Sequence, residues 1–151
     1  MKKIIFSFAI VIIQLACKTT TPLVADVTYK SYNNQIMNVE SIGYGAKTAE
    51  AIENAKKNAI DVILFRGIPN SNLNKPLAGT GEHTIKQKNR SYFDDFYKNR
   101  RYSSFITQAT SQTPLKKLEN GNKGLKATIK VNIPALRADL EQNNVIRKFG
   151  Y

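Results

Sequence analysis

Two residues of the chain could perform nucleophilic, acid–base or soft-metal chemistry. Among its 151 residues there is one cysteine, Cys17, and one histidine, His83. A thiolate is a nucleophile and metal ligand, and an imidazole is the usual proton carrier near neutral pH. One copy of each excludes an internal disulfide, a zinc site built on thiolates and an iron–sulfur cluster. The sequence therefore predicts no metal, no cofactor and no catalytic residue.

Cys17 follows a segment that is typical of an export signal. Two lysines precede the apolar run 4–15, and the small residue Ala16 stands directly before the cysteine. The run is shorter than the roughly 20 apolar residues that a membrane-spanning helix needs. A positive start, an apolar middle and a small residue at the cleavage point describe a signal peptide. We predict that residues 1–16 are such a signal and take no part in the fold.

The sequence Gln14-Leu15-Ala16-Cys17 resembles the lipobox of bacterial lipoproteins. In that family the cysteine sulfur receives a diacylglyceryl group, the chain is cut before the cysteine, and the new amine is acylated. The resemblance implies a lipoprotein that carries palmitate-type chains on Cys17 and is held at a membrane by them. The alternative is an ordinary secretory signal followed by an incidental cysteine.

The residue after the cysteine bears on location within the cell envelope. In bacterial lipoproteins an Asp at this position often directs retention at the inner membrane, and this chain has Lys18 there instead. The resemblance therefore implies the outer membrane of a Gram-negative bacterium, with the domain facing the periplasm or the surface.

The length of the chain suits one domain. Residues 17–34 are mostly polar and predict a tether, although the patch 24–29 could form an edge strand. Residues 35–151 are predicted to form the single folded domain. Its first strand is expected over 36–44, because this segment is rich in Ile, Val and Met and ends at a glycine turn.

A long alanine-rich helix is expected next. Thr48 is a suitable N-cap, and apolar residues then recur at spacings of three and four as far as Phe65. Gly67, followed by a proline, is a typical helix end. The alanines predict close approach of this helix to a sheet.

The rest of the domain alternates between loops, short helices and strands. We expect a polar loop over 70–88, a short helix over 92–99 capped by Ser91, a strand over 102–109, a half-buried antiparallel strand with a basic wet face over 125–133, and a last helix over 135–142. This order predicts an α+β fold: a mostly antiparallel sheet with the long helix and shorter helices packed on one face.

The domain is also similar to a family of small envelope lipoproteins. The segments 39–45, 49–59 and 126–133 resemble the strand, alanine-rich helix and alternating hairpin strand of the twenty-kilodalton outer-membrane lipoproteins and of the N-terminal domain of the flagellar assembly protein T. This resemblance implies an envelope-associated, non-catalytic role and supplies no catalytic residues.

A glycine pattern at the expected start of the long helix resembles part of a dinucleotide fingerprint. Gly43-x-Gly45-x-x-Thr48 lacks the third glycine of that motif, and no second parallel strand is expected to carry its acidic residue. We therefore favour a tight turn between strand and helix.

The segment 90–105 combines aromatic and basic residues. Tyr92, Phe93, Phe96, Tyr97, Tyr102 and Phe105 alternate with Arg90, Lys98, Arg100 and Arg101. The helical spacing of the first four aromatics favours a buried face. The residues Arg90, Tyr97, Arg100 and Arg101 are the candidates for a surface that contacts a partner or an anion.

The formal net charge of +12 suits attraction to anionic glycans or lipids. We expect a lipid-anchored cell-envelope protein, not an enzyme, that binds an envelope protein or an anionic glycan or supports envelope assembly; an export signal makes nucleic acid an unsuitable partner. Two alternatives stay open. One is a periplasmic hydrolase that uses the 70–88 loop with His83, and the other is a binder of acidic polymers through residues 90–105.

Overall fold

The structure is a computed structural model that describes residues 25–148. The predicted signal 1–16, the lipidation residue Cys17, the first part of the predicted tether and residues 149–151 lie outside the described residues. Within residues 25–148 no helix has both the length and the apolar character that a membrane span requires.

The described residues form one antiparallel sheet and four α-helices, which confirms the predicted α+β fold. The strands are β1 (Val27–Asn33), β2 (Ile36–Tyr44), β3 (Ile106–Ser111), β4 (Lys116–Lys117) and β5 (Lys123–Asn132). Their order across the sheet is β1-β2-β5-β3, and β4 pairs with β5 as well. The helices are α1 (Thr48–Phe65), α2 (Glu82–Lys88), α3 (Arg90–Lys98) and α4 (Ile133–Gln142), with a 3₁₀ turn at Arg101–Phe105.

The core lies between the sheet and the helices. On β5 the alternate residues Leu125, Ala127, Ile129 and Val131 are fully buried, whereas Lys126 is exposed on the opposite face. This confirms the predicted half-buried strand. Helix α1 packs on β2 and β5, and Leu136 and Leu140 of α4 join the same core. The other face of the sheet carries no helix in the described structure.

The sheet begins before residue 35, inside the range predicted as a tether. Strand β1 pairs with β2 from Val27 to Asn33, with a bulge between Tyr29 and Ser31. Tyr29 and Tyr32 pack against the core. The bulge changes the spacing of these half-buried residues from two to three, so the alternation that marks a strand is lost in the sequence.

Helix α1 has the predicted extent but a different cap. Thr48 is its first residue rather than its N-cap, and the Glu50 carboxylate accepts hydrogen bonds from the backbone N–H of Ala46 (3.0 Å) and Lys47 (3.3 Å). A carboxylate in the first turn also suits the helix dipole. Gly67 ends the helix with φ at 75°, as predicted for a glycine there.

Three predictions for the middle of the chain were wrong. The expected loop 70–88 contains α2, which buries none of its side chains and so has no apolar periodicity to reveal it. Helix α3 begins at Arg90 after Asn89, not after a Ser91 cap. The expected strand 102–109 starts with the 3₁₀ turn, because Tyr102 and Phe105 are buried three residues apart, the repeat of that turn.

Candidate functional site

The glycines of the Gly43-x-Gly45 pattern serve the packing of α1 on β2. A Cβ on Gly43 would lie 1.9 Å from the Ala51 carbonyl oxygen, and a Cβ on Gly45 would lie 2.7 Å from the Ala51 nitrogen. All strand pairs of the described sheet are antiparallel. The pattern is therefore a tight strand-to-helix contact, as favoured from the sequence, and the Glu50 carboxylate accepts from the amides of Ala46 and Lys47 just before the helix.

Side chains of α1 also form hydrogen bonds with the backbone at the end of β2, which extends beyond the first residue of β1. The Tyr44 N–H donates to Asn54 Oδ1 at 2.9 Å, and Asn58 Nδ2 donates to the Ile42 carbonyl at 2.9 Å. The N–H of the same residue, Ile42, donates to the carbonyl of Asp26. The chain thus enters the sheet at the end where β2 stops and α1 starts.

The aromatic residues of the segment 90–105 form part of the core, as favoured from the sequence. Phe93, Phe96, Tyr102 and Phe105 are buried, and Tyr92 and Tyr97 are half-buried. Their rings lie in tilted, edge and stacked pairs with centroids 5.0 to 6.2 Å apart. Such geometry is typical of aromatic packing in protein interiors.

Two tyrosine–aspartate hydrogen bonds attach α3 to its neighbours. The Tyr97 hydroxyl donates to Asp61 of α1, and the Tyr92 hydroxyl donates to Asp139 of α4 at 2.6 Å. Burial raises the pKa of Asp61 above its ordinary value, against the opposing effect of the Tyr97 hydrogen bond. Burial, assisted by the neighbouring carboxylates, also raises the pKa values of both tyrosines. Both hydroxyls therefore stay protonated and act as donors.

A cation accompanies each of these pairs. Lys86 Nζ lies 4.6 Å from the centroid of the Tyr97 ring and 3.9 Å from Asp61. The Arg101 guanidinium lies 5.5 Å from the centroid of the Tyr92 ring. Cations over aromatic faces are attracted by the ring quadrupole. These cations therefore hold the helices together and are not free to bind a ligand.

The four sequence candidates of this region have different surroundings. Tyr97 is bonded to Asp61, and Arg101 makes ion pairs with Asp95 at 2.9 Å and Asp139 at 2.7 Å. The hydrogen bond that Arg101 donates to Asp95 is the main cause that raises the pKa of Arg101. Arg100 and Arg90 are exposed, the latter 3.8 Å from Asp94. Tyr97 and Arg101 thus have internal partners, and the other two lie on the surface.

The single histidine lies on a polar helix rather than in a loop. His83 is exposed on α2, and its neighbour Glu82 is bound to Lys86 at 2.6 Å. Among residues 25–148 no group of three or more His, Cys, Asp or Glu side chains could hold a metal ion.

A positively charged surface lies at the end of the sheet where the chain enters β1, and we call it the lysine-rich end. It comprises Lys47, Lys116, Lys117, Lys123 and Lys126, all of which are exposed. Strand β4 places Lys117 opposite Lys123, and the Gly45 N–H donates to the Lys123 carbonyl at 3.2 Å, which brings the start of α1 beside the hairpin.

An open cleft of about 470 Å³ lies within this end. It is lined by Asp26, Ile42, Tyr44, four residues of the β4 hairpin from Lys117 to Asn120, Lys116 and Lys126. Lys126 Nζ lies 3.5 Å from Glu40, a carboxylate that it shares with Lys30 at 3.3 Å. Lys47, Lys116, Lys117 and Lys123 have no carboxylate within 4.0 Å among the described residues, so this end carries excess positive charge.

The uncovered face of the sheet continues from the lysine-rich end. Register places two polar rows across the four strands: Thr28, Glu40, Thr128 and Thr110, then Ser31, Asn38, Lys130 and Gln108. Asn38 Oδ1 is buried and has no hydrogen-bond partner in the described structure. Lys130 likewise has no carboxylate within 4.0 Å there. The face therefore presents hydroxyl, amide and ammonium groups, together with the Glu40 carboxylate, which is paired with Lys30 and Lys126.

Lysines are concentrated over 116–130 of the sequence, and turn-forming residues stand at 119–122. The alternation of β5 predicted which of its lysines face water. The sequence does not show that the hairpin and the entry of β1 lie at the same end of the sheet, where Asp26 and the hairpin line one cleft on either side of β2.

The chain was compared with known proteins. No protein-family model matches it, and neither does any curated protein or solved structure.

Proposed function

We propose that this protein is a lipoprotein of the cell envelope, anchored by acyl chains on Cys17, whose α+β domain has a binding role and not a catalytic one. The observation that carries the proposal is that the single cysteine of the chain stands at the modification point of a lipobox-like sequence. Strand β1 starts at Val27, so the cysteine precedes the sheet and need not be buried for the domain to fold. Several acyl chains on one residue hold a protein stably at a membrane.

Fatty-acid labelling tests the anchor. Cells grown with an alkyne analogue of palmitate should incorporate label into the wild-type chain and not into Cys17→Ala. A matched control, Cys17→Ala/Thr19→Cys, keeps one cysteine but moves it out of the lipobox, and it should also carry no label. An unlabelled wild type, or a labelled Cys17→Ala chain, would contradict the proposal.

Membrane fractionation tests the location. Wild-type protein should be found with the outer membrane, and Lys18→Asp should move it to the inner membrane if the residue after the cysteine controls sorting as it does in lipoproteins. Lys18→Gln removes the same positive charge without adding a carboxylate and should leave the location unchanged. Equal fractionation of the Asp and Gln variants would count against sorting by this residue.

The partner that suits the uncovered sheet face best is an anionic glycan. Protein interfaces are built around an apolar core, and this face has instead the two polar rows, which include the amides of Asn38 and Gln108 and the cation Lys130. Sugar hydroxyls match amides and hydroxyls, and carboxylate or phosphate groups match the lysine. We therefore propose an envelope glycan, rather than an envelope protein, on this face.

Binding to purified peptidoglycan and to lipopolysaccharide tests this partner. Asn38→Ala and Lys130→Ala should each weaken binding by several-fold. Asn72→Ala and Lys75→Ala are matched controls on exposed residues of the 70–81 segment and should have no effect. Binding of neither glycan, or equal loss in the control pair, would contradict the proposal. His83→Ala should be without effect on every one of these readouts.

A further inference from the structure

We infer that the lysine-rich end rests on the anionic lipid headgroups of the membrane that holds the acylated Cys17. The lipid surface would thereby orient the domain as well as retain it. This inference depends on the proposed anchor, and it adds a second contact with the same membrane through residues that are far from the cysteine in sequence.

The first support is the short connection between anchor and sheet. Only residues 18–26 separate Cys17 from the start of β1, and a fully extended stretch of that length spans about 30 Å. The carbonyl of Asp26 is already bonded to Ile42, so the connection leaves the domain at the lysine-rich end. The chain from the anchor therefore reaches the domain at this end of the sheet and not at the opposite end.

The second support is the local charge. Four of the five lysines at this end have no carboxylate within 4.0 Å in the described structure, as given above. Its acidic residues are Asp26, Glu119, Glu50 and Glu40; Glu50 accepts hydrogen bonds from two backbone amides, and Glu40 lies between Lys126 and Lys30. Exposed lysines near an anionic membrane each contribute to binding, and they act within a Debye length of about 10 Å.

The third support is the shape and chemistry of the surface. The long lysine side chains surround a cleft that also exposes parts of Tyr44 and Leu118, both half-buried. Lysine stems lie along apolar surface while their ammonium groups reach headgroups, and tyrosine is favoured at the membrane–water interface. Lipid phosphates lie in a plane. An open rim of lysines can contact several of them at once, whereas a deep pocket could not.

Cations elsewhere on the domain are placed differently. Lys86, Lys98 and Arg101 all have carboxylate partners on the helices. Lys75 and Lys88 have none in the described structure, but they are remote from the lysine-rich end. Lys75 follows α1 beside Gly67, about 27 Å along the helix from Thr48. Lys88 ends α2, whose Lys86 lies over the ring of Phe65 at that same far end of α1. These two residues are therefore the matched internal control.

Amine footprinting on the natural protein tests the inference. The acylated full chain, purified from cell envelopes, is reconstituted into vesicles of phosphatidylcholine alone or mixed with phosphatidylglycerol. An amine-reactive reagent then labels exposed lysines, and mass spectrometry measures the rate at each position. Lys116, Lys117 and Lys123 should react several-fold more slowly on the anionic vesicles, Lys75 and Lys88 should react equally on both, and high salt should remove the difference.

Charge-reversal variants, measured by the same amine footprinting, provide a second test. Lys116→Glu/Lys117→Glu should abolish the protection of Lys123, whereas Lys75→Glu/Lys88→Glu should leave it intact, although both pairs change the net charge equally. Removal of one lysine from such a contact weakens it by about fivefold, so the single variant Lys117→Gln should show partial loss.

The outcomes separate this inference from the anchor itself. A chain that carries no lipid on Cys17 overturns both. An acylated chain whose lysines react equally in the two kinds of vesicle overturns only the headgroup contact. Protection of Lys116 and Lys117 by soluble lipopolysaccharide or peptidoglycan fragments, without any effect of vesicle charge, assigns the lysine-rich end to a glycan and also overturns it.

Discussion

Gly43 of β2 lies directly against the backbone of Ala51 in α1, so closely that a Cβ on the glycine would be 1.9 Å from the Ala51 carbonyl oxygen. The same Cβ would lie 2.8 Å from the Cβ of Ala55. Ala51, Ala55 and Ala59 are all fully buried, so one row of small residues on α1 faces this strand. The helix can reach the sheet here only because both surfaces lack bulk.

Gly43→Ala should therefore destabilise the protein strongly. Overpacking of a close contact costs about 3 kcal/mol or more when backbone atoms must move. Gly121→Ala is the control, because a Cβ there meets nothing within 4 Å and only the positive φ of 81° opposes it, at a cost of about 1 kcal/mol. Urea unfolding measures both. Equal losses in the two variants would refute the packing role of Gly43.

The two tyrosine–aspartate hydrogen bonds should contribute differently to the free energy of unfolding. Tyr97→Phe leaves Asp61 with only Lys86, 3.9 Å away, and should cost about 2 kcal/mol because a half-buried carboxylate loses its donor. Tyr92→Phe should cost less, since Asp139 keeps the Arg101 ion pair at 2.7 Å. Thermal or urea unfolding of the two variants gives the order, and the reverse order would contradict this account.

Asp61 should influence how stability depends on pH. Because burial raises its pKa in the folded protein above the ordinary value of 3.8, the folded state holds the proton more tightly than the unfolded state does. The contribution of Asp61 is therefore largest below pH 3.8 and is lost as the pH rises through the folded pKa. Asp61→Asn keeps an acceptor for Tyr97 and should remove this decline.

The measurement is the free energy of unfolding in urea at pH values below, within and above that window. Asp95→Asn is the control of opposite sign, because hydrogen bonds from Asn99 and Arg101 lower the pKa of Asp95. Its contribution is present above pH 3.8 and is lost as the pH falls. Superimposable profiles for wild type and Asp61→Asn would show that the carboxyl titrates normally.

Ser41 should be replaceable without loss of stability. Its side chain is fully buried on the inner face of β2, and its Oγ has no hydrogen-bond partner in the described structure. A buried hydroxyl without a partner is unfavourable, so Ser41→Ala should leave stability unchanged or raise it by about 1 kcal/mol. Ser111→Ala, which removes a 2.6 Å bond to the Thr113 carbonyl, should instead lower it. A marked loss in Ser41→Ala would mean that the hydroxyl has a partner.

Much of the fold follows from local patterns. The strand over 36–44, helix α1, the alternation of β5 and the α+β class were all predicted, because in each case one face is apolar at the repeat of the element. The interpretation of the aromatic residues in 90–105 as mainly core follows from the same spacing. Helix α2 was missed because it buries nothing, and the edge strand β1 was anticipated only as a possibility over 24–29 because a bulge interrupts its alternation.

The candidate surfaces depend on contacts between distant segments. Sequence alone identified Cys17, and with it the proposed lipid anchor, because the lipobox is read as a continuous stretch of chain. Tertiary structure decided that Tyr97 and Arg101 are bound internally, since their partners Asp61 and Asp139 lie on other helices. Tertiary structure also placed the lysines of the β4–β5 hairpin at the same end of the sheet as the entry of β1. The reason is that β2 pairs with both β1 and β5, which are distant from each other in the chain.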